Sequence, residues 1–220
     1  MPTSTVENYL KAILRLEQSA EGSVAVGRIA TELEVTPGTV TTMMKHLGSR
    51  GLIDYTPRHG VTLRPEGREA AVRVVRRHRL VELFLVEVMQ LDWTDVHEEA
   101  EVLEHVISDR LLARIDEMLD HPTHDPHGAP IPDARGNLPA QEGIPLAECD
   151  PGQYRLLRVA ENDAGFLDWL AQQKLKPGAR LRLIHHDRPA GLFRVLIHGR
   201  HENIQFGTSA AQQLLVKPTG

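Results

Sequence analysis

Apolar residues recur at helical spacing from the start of the chain. Val6, Tyr9, Leu10, Ile13, Leu14 and Leu16 form one stripe and predict a helix that ends by Gly22. A second helix is expected over 25–33, with Ile29, Ala30 and Leu33 inward. Thr36-Pro37 then opens a third. A threonine oxygen can cap the helix start, and proline at the first helical position gives up an N–H that has no helical partner anyway. Val40, Met43, Met44 and Leu47 line its apolar side, and Gly51 stops it. Two short alternating runs, 52–56 and 60–63, flank Pro57-Arg58-His59 and predict a β-hairpin. Helix, helix, turn, helix and hairpin make a winged helix-turn-helix.

The pattern continues with a long helix from Pro65 to about Met89, a helix following Asp92–Asp95 to about Ser108, and another over 109–119. Composition then shifts to Pro, Gly, Asp and His over 121–151, a partly ordered linker. Beyond it, 154–159, 180–185, 192–197 and 203–206 alternate as strands around one short helix at 166–172, as in a small β-barrel. The expected fold class is therefore mainly α with a small β part. The expected domains are 1–64 for DNA binding, 65–140 helical with the linker, and 150–220 for the barrel.

Charge changes this picture. Residues 1–80 carry 12 Lys/Arg against 8 Asp/Glu, whereas the remainder carries 13 against 22, for a total of −5. A basic front suits a polyanion, and the acidic remainder does not. Thr36, Gly38, Thr39 and Thr42 on the third helix are short enough to read bases and backbone, with Thr41, Lys45, Arg50 and the wing residue Arg58 on phosphates. The single cysteine, Cys149, excludes a disulfide framework and a Cys-rich zinc finger. No apolar run approaches the ~20 residues of a membrane span, and acids interrupt the first segment, unlike a secretory signal. A cytoplasmic location is expected.

Between Glu82 and Asp120 there are twelve acids and two arginines, so either this face is solvated or cations neutralise it. On a continuous helix His97, Glu101 and His105 stand at i, i+4 and i+8, with Glu104 three after Glu101, so all four project to one side. His78 and Glu82 form an i, i+4 pair on the preceding helix. Carboxylates and imidazoles converging from two helices are a way to build a metal site, while the bland reading is a set of solvated Glu–His contacts. No HExxH, no Ser/His/Asp order and no phosphate loop is present, so an enzyme is not expected.

These residues resemble the diphtheria toxin repressor family of metal-dependent transcriptional regulators. The likeness runs over nearly the whole chain, through ENYLKAI, RHRLVELFL, HEEAEVLEHVISD and PHGAPIP. It implies a winged helix-turn-helix joined to a helical dimerisation and metal domain and a C-terminal SH3-like (FeoA-like) domain. It also implies a homodimer that binds a double-stranded DNA operator and represses metal-homeostasis genes when metal is bound. Glu101, Glu104 and His105 match the principal metal site, and Asn8 falls on its remaining ligand. His78, Glu82 and His97 match the ancillary site. Asp125-Pro126-His127-Gly128 stands where manganese-type members carry a CPHG-like motif, and Glu161 where the C-terminal domain supplies a carboxylate.

Two departures bear on the metal. Iron-type members carry Cys at the position of Glu101, and a donor set of Glu, His and amide oxygen without thiolate is hard, which favours manganese(II) with iron(II) as the alternative. Asn8 replaces the usual Asp or Met, keeping an oxygen donor without its charge. Metal binding also needs neutral His78, His97 and His105, so activity is expected to fall below about pH 6. Two other classes remain open at this stage: a metal buffer without DNA function, and a constitutive DNA-binding protein whose acidic cluster is structural.

Overall fold

The computed structural model describes residues 3–18, 22–140, 142–160 and 163–219, which fall into two compact units. The first comprises Met1–His78, Leu103–Ser108 and Pro132–Leu138. Helix α1 (Ser4–Glu17) starts at Thr3, whose side chain accepts from the Val6 N–H, and buries the stripe from Val6 to Leu16. Helix α2 (Val26–Glu32) buries Ile29 and Ala30. Helix α3 (Pro37–Ser49) begins as expected at Thr36, whose Oγ1 accepts from the Thr39 N–H at 3.2 Å.

Strands β1 (Ile53–Thr56) and β2 (Gly60–Leu63) pair antiparallel with Thr56 opposite Gly60. Val24 adds a one-residue bridge to Val61. Gly60 is required there, because its φ is +115° and a Cβ would lie 2.7 Å from the Val24 carbonyl oxygen. Leu10, Ile13, Ile29, Val40, Met44, Leu47 and Val61 are fully buried in one shared core beneath α1, α3 and the hairpin. Truncating a leucine such as Leu10 in a core of this kind costs ~2–5 kcal/mol.

Helix α4 (Pro65–Glu87) belongs to the first unit as far as His78 and to the second from Arg79. The second unit also holds helix α5 (Val96–Leu103) up to Val102, helix α6 (Asp109–Met118) and the chain from Pro139 onward. Its sheet is antiparallel: β3 (Ile144–Pro145), β4 (Gly152–Val159), β5 (Arg180–Asp187), β6 (Leu192–Ile197), β7 (Ile204–Gly207) and β8 (Leu214–Pro218), in the order β3-β8-β4-β5-β6-β7. Helices α7 (Ala164–Gln172) and α8 (Thr208–Gln213) accompany the sheet. Leu156, Leu167, Phe193, Val195, Leu214 and Val216 form the centre of its core. Strands β3 and β8 and helix α8 go beyond the elements the pattern predicts.

One expectation is corrected. The helix over His97–Ser108 ends at Leu103, so Glu104 and His105 lie in a turn and do not continue the i, i+4, i+8 row. The Leu103 carbonyl accepts from both the Val106 and Ile107 N–H groups, tightening the last turn. Acidic Glu101 and Glu104 near a helix C-terminus also oppose the helix dipole. Leu80 of α4 is fully buried.

Candidate metal centre

Each unit carries its own cluster of buried carboxylates and imidazoles. In the first unit Glu104 is fully buried, and its two oxygens face Lys11 Nζ and His78 Nδ1, each at 2.7 Å. His105 Nδ1 lies 2.6 Å from Glu7 Oε2, and Arg77 approaches Glu7 Oε1 at 3.9 Å. Glu7, Asn8 and Lys11 all come from α1, whereas Glu104 and His105 come from the turn after Leu103. That turn is what lets consecutive residues 104 and 105 both reach this cluster.

Two polar atoms here test whether a metal fits. Asn8 Oδ1 and His105 Nε2 are buried without a hydrogen-bond partner among the described residues. His105 Nε2 is 3.3 Å from Glu104 Oε1, yet not at a hydrogen-bonding angle. Buried polar atoms are rarely left unpaired without a reason. If His105 donates through Nδ1 to Glu7, its Nε2 carries a lone pair beside a carboxylate oxygen. An amide oxygen, an imidazole nitrogen and a carboxylate make a donor set that fits a hard divalent cation.

In the second unit Glu82 is 2% exposed and stands between two histidines. Its Oε1 is 3.1 Å from His97 Nδ1, and its Oε2 is 3.8 Å from His127 Nδ1. The other nitrogen of His97 faces Glu101 Oε1 at 3.6 Å. Glu82, Asp125 and His127 can each direct a ligand atom to a common point, with those atoms within 4.8 Å of one another. The Trp93 carbonyl accepts from His127 Nε2 at 2.9 Å, which fixes that nitrogen as the donor and turns Nδ1 toward Glu82.

The loop that carries Asp125 and His127 is held by backbone. Asp125 Oδ1 accepts from the His127 and Ala129 N–H groups, both at 2.9 Å. The Val159 N–H of β4 donates to the His127 carbonyl at 2.9 Å. Gly128 has φ +86°, and a Cβ there would lie 2.0 Å from the Leu157 carbonyl oxygen, so only glycine lets the loop approach β4 this closely. Arg79 donates to the Pro130 carbonyl and stands 3.6 Å from Asp125 Oδ2.

Burial and neighbouring charges both act on the titratable groups of this second cluster. Burial and the Glu82 charge raise the Asp125 pKa against the pull of Arg79 and His127. Burial pushes His127 down, but attraction from Glu82 and Asp125 overcomes it and the net direction is up. At 3.8 Å the Glu82–His127 interaction is charge attraction and not a hydrogen bond.

The expected DNA-reading residues lie along α3 and the wing of the first unit. Thr36, Gly38, Thr39, Thr42, Lys45, Arg50 and Arg58 are exposed and Thr41 is half-buried. The Thr41 and Thr42 hydroxyls donate to the Pro37 and Gly38 carbonyls at 2.9 and 3.1 Å, leaving oxygen lone pairs and methyl groups free to face outward. Arg58 sits at the tip of the hairpin with φ +69°, in the left-handed region. Of the ten expected metal-site residues, Glu161 lies outside the described residues. Glu7, Lys11, Arg77 and Arg79 join the clusters without having been singled out in the sequence. The signal available for Glu7 and Lys11 was their i, i+4 spacing on α1, flanking Asn8.

A winged helix-turn-helix together with buried carboxylate–imidazole clusters defines a metal-responsive DNA-binding regulator. Sequence profiles agree: residues 1–61 match the iron-dependent repressor N-terminal DNA-binding domain, 64–133 its metal-binding and dimerisation domain, and 144–218 the FeoA domain. The chain is 31% identical to the iron-dependent repressor IdeR of Mycobacterium leprae, over 97% of this chain and 96% of that protein. It is 41% identical to the diphtheria toxin repressor of Corynebacterium efficiens over 129 residues, 58% of this chain, and spans just over half (55%) of that protein's length. Among solved structures, a manganese-dependent transcriptional repressor in complex with manganese superposes with a TM-score of 0.90 at 36% identity, covering 97% of this chain and 99% of that one. The chain belongs to the iron-dependent (diphtheria toxin) repressor family, whose regulators depend on a divalent metal.

Proposed function

We propose that this protein is a cytoplasmic, homodimeric repressor of metal-homeostasis genes that binds operator DNA when loaded with manganese(II), with iron(II) as the alternative metal. The observation that carries the reading is the first cluster: Asn8 Oδ1 and His105 Nε2 are buried without hydrogen-bond partners beside a fully buried Glu104. Both clusters are built from oxygen and imidazole donors, and Cys149, the only thiol, is buried in the β core instead. That favours manganese over softer cations. The structural likeness to a manganese-dependent repressor supports the same choice, while the relatives named for iron keep iron(II) in play.

Asn8, His78, Glu104 and His105 would hold metal in the first unit, and Glu82, His97, Glu101, Asp125 and His127 in the second. A bound divalent cation supplies the positive charge that these acids otherwise draw from protons and basic side chains. The chain's own residues do the rest. Helix α1 packs on α2 and β2, and α2 packs on α3, so whatever ties α1 to the turn at 104–105 also sets the attitude of α3 and the wing. A dimer must meet two half-sites at fixed spacing, so a small change in that attitude alters affinity strongly. Exposed Val88, Met89, Leu111 and Met118 supply apolar surface for a dimer.

The test is DNA binding to the region upstream of the protein's own gene. Chelator-treated protein is titrated with manganese(II), then separately with iron(II) without oxygen. Metal-dependent binding is expected, and the better activator names the metal. Equal binding with chelator present would leave a constitutive DNA-binding protein.

A further inference from the structure

We propose that Lys11 is a tethered counter-cation that occupies the Glu104 carboxylate until a divalent metal displaces it, and that it thereby sets the metal concentration needed for activation. The proposal rests on the metal-activated reading of the first cluster. Glu104 is fully buried, and a carboxylate so placed must find a positive partner or lose its charge. It has one: Lys11 Nζ stands 2.7 Å from Oε1. With Arg77 facing Glu7 at 3.9 Å, two carboxylates are matched by two basic side chains before any metal arrives.

Adding a divalent ion to that arrangement would crowd it against the Lys11 ammonium in a site with little water to screen them. One of the two must yield. Lys11 can do so, because its side chain is 18% exposed and its four-carbon stem can carry the ammonium to solvent. Lys11 lies four residues after Glu7 and three after Asn8, on one face of α1. Cation exchange at Glu104 therefore replaces a flexible link between α1 and the turn at 104–105 with one made through the fixed donors Asn8, Glu104 and His105. A merely structural ion pair would stabilise metal-free and metal-loaded protein alike; a counter-cation stabilises only the former.

Calorimetric titration of the full chain with manganese(II) chloride separates the two. Glu82→Gln is present throughout so that the first cluster alone reports. Lys11→Met is expected to bind manganese(II) about tenfold more tightly. Its melting temperature should fall without metal and match the parent when saturated, and Lys11→Arg should keep the parent affinity. Equal or weaker binding in Lys11→Met overturns the proposal alone, whereas no binding by the parent overturns it together with the reading beneath. A second measurement needs no variant. Amine acylation of Lys11 in the wild-type chain, followed by mass spectrometry, should accelerate on adding manganese(II), and an unchanged or slower rate also overturns the proposal.

Discussion

The two buried clusters share a donor chemistry but neutralise it differently. In the first unit the counter-charges are side chains, Lys11 on Glu104 and Arg77 near Glu7. In the second, Arg79 stands against Asp125 and is pinned to the Pro130 carbonyl, and Glu82 faces His97 and His127. Burial and the Glu82 charge hold the Asp125 pKa up, and the neighbouring carboxylates hold His127 up against burial. One cluster thus sets a mobile lysine against its buried carboxylate, and the other a pinned arginine and two histidines against its acids. The first is also assembled from a helix and a turn of the DNA-reading unit, whereas the second depends on a loop clamped to β4. The lesson is that the ligand set alone does not decide how a site responds; the group it must expel does.

The strongest way to break this comparison is at Glu104, which has no counterpart able to replace it. On the ligand role proposed for Glu104, Glu104→Ala should lower metal-dependent DNA affinity by a factor of about 100 or more, measured by fluorescence anisotropy at saturating manganese(II). Next in size is Gly128→Ala. Its positive φ and the 2.0 Å approach to the Leu157 oxygen predict a stability loss of at least ~2 kcal/mol in denaturant unfolding. The same variant should lose manganese at the second cluster and keep it at the first.

Glu82→Gln is the milder probe of that second cluster. Manganese affinity there should fall ~10–100-fold, with one fewer ion bound per chain by metal analysis. The pH dependence sharpens the contrast further. Asp125 and His127 have folded pKa values raised above their unfolded ones, so they add stability to metal-free protein at acid pH, and that contribution fades as pH rises through the folded values. The melting-temperature difference between wild type and Asp125→Asn should therefore shrink or reverse as pH rises. Calorimetry in buffers of different ionisation enthalpy should find proton release on manganese binding that Glu82→Gln removes. Smallest is Arg58→Ala, which should reduce the salt dependence of DNA binding by about one phosphate contact per protomer while leaving sequence preference intact.

Much of this was legible in the sequence because the relevant signals are local. The Thr36-Pro37 start of α3, the hairpin around Arg58 and the Pro65 start of α4 each follow from backbone chemistry within a few residues. The C-terminal unit was only half visible. Helix α8 is six polar and small residues, Thr208–Gln213, too short to show a period, and β8 follows it without a turn signal. The clusters were legible as residue types but not as geometry. Treating 97–105 as one helix put His105 in line with His97, whereas the helix closes at Leu103 through a shared carbonyl. Nothing in the sequence singles out Lys11, because an ion pair 93 residues away leaves no periodic trace. Asp125 is legible as a candidate ligand from its place in the CPHG-like motif, but the sequence does not show that one of its oxygens is engaged by two backbone N–H groups of its own turn.

The most direct test of the central claim follows metal and DNA together. Manganese(II) is titrated into metal-free protein with operator DNA present, with bound metal read by electron paramagnetic resonance and DNA by anisotropy. The account predicts that DNA affinity rises in step with filling of the cluster at Glu104 and His105, and that Glu104→Ala severs the two signals. DNA binding already complete under chelator, or unaffected by Glu104→Ala, would contradict it.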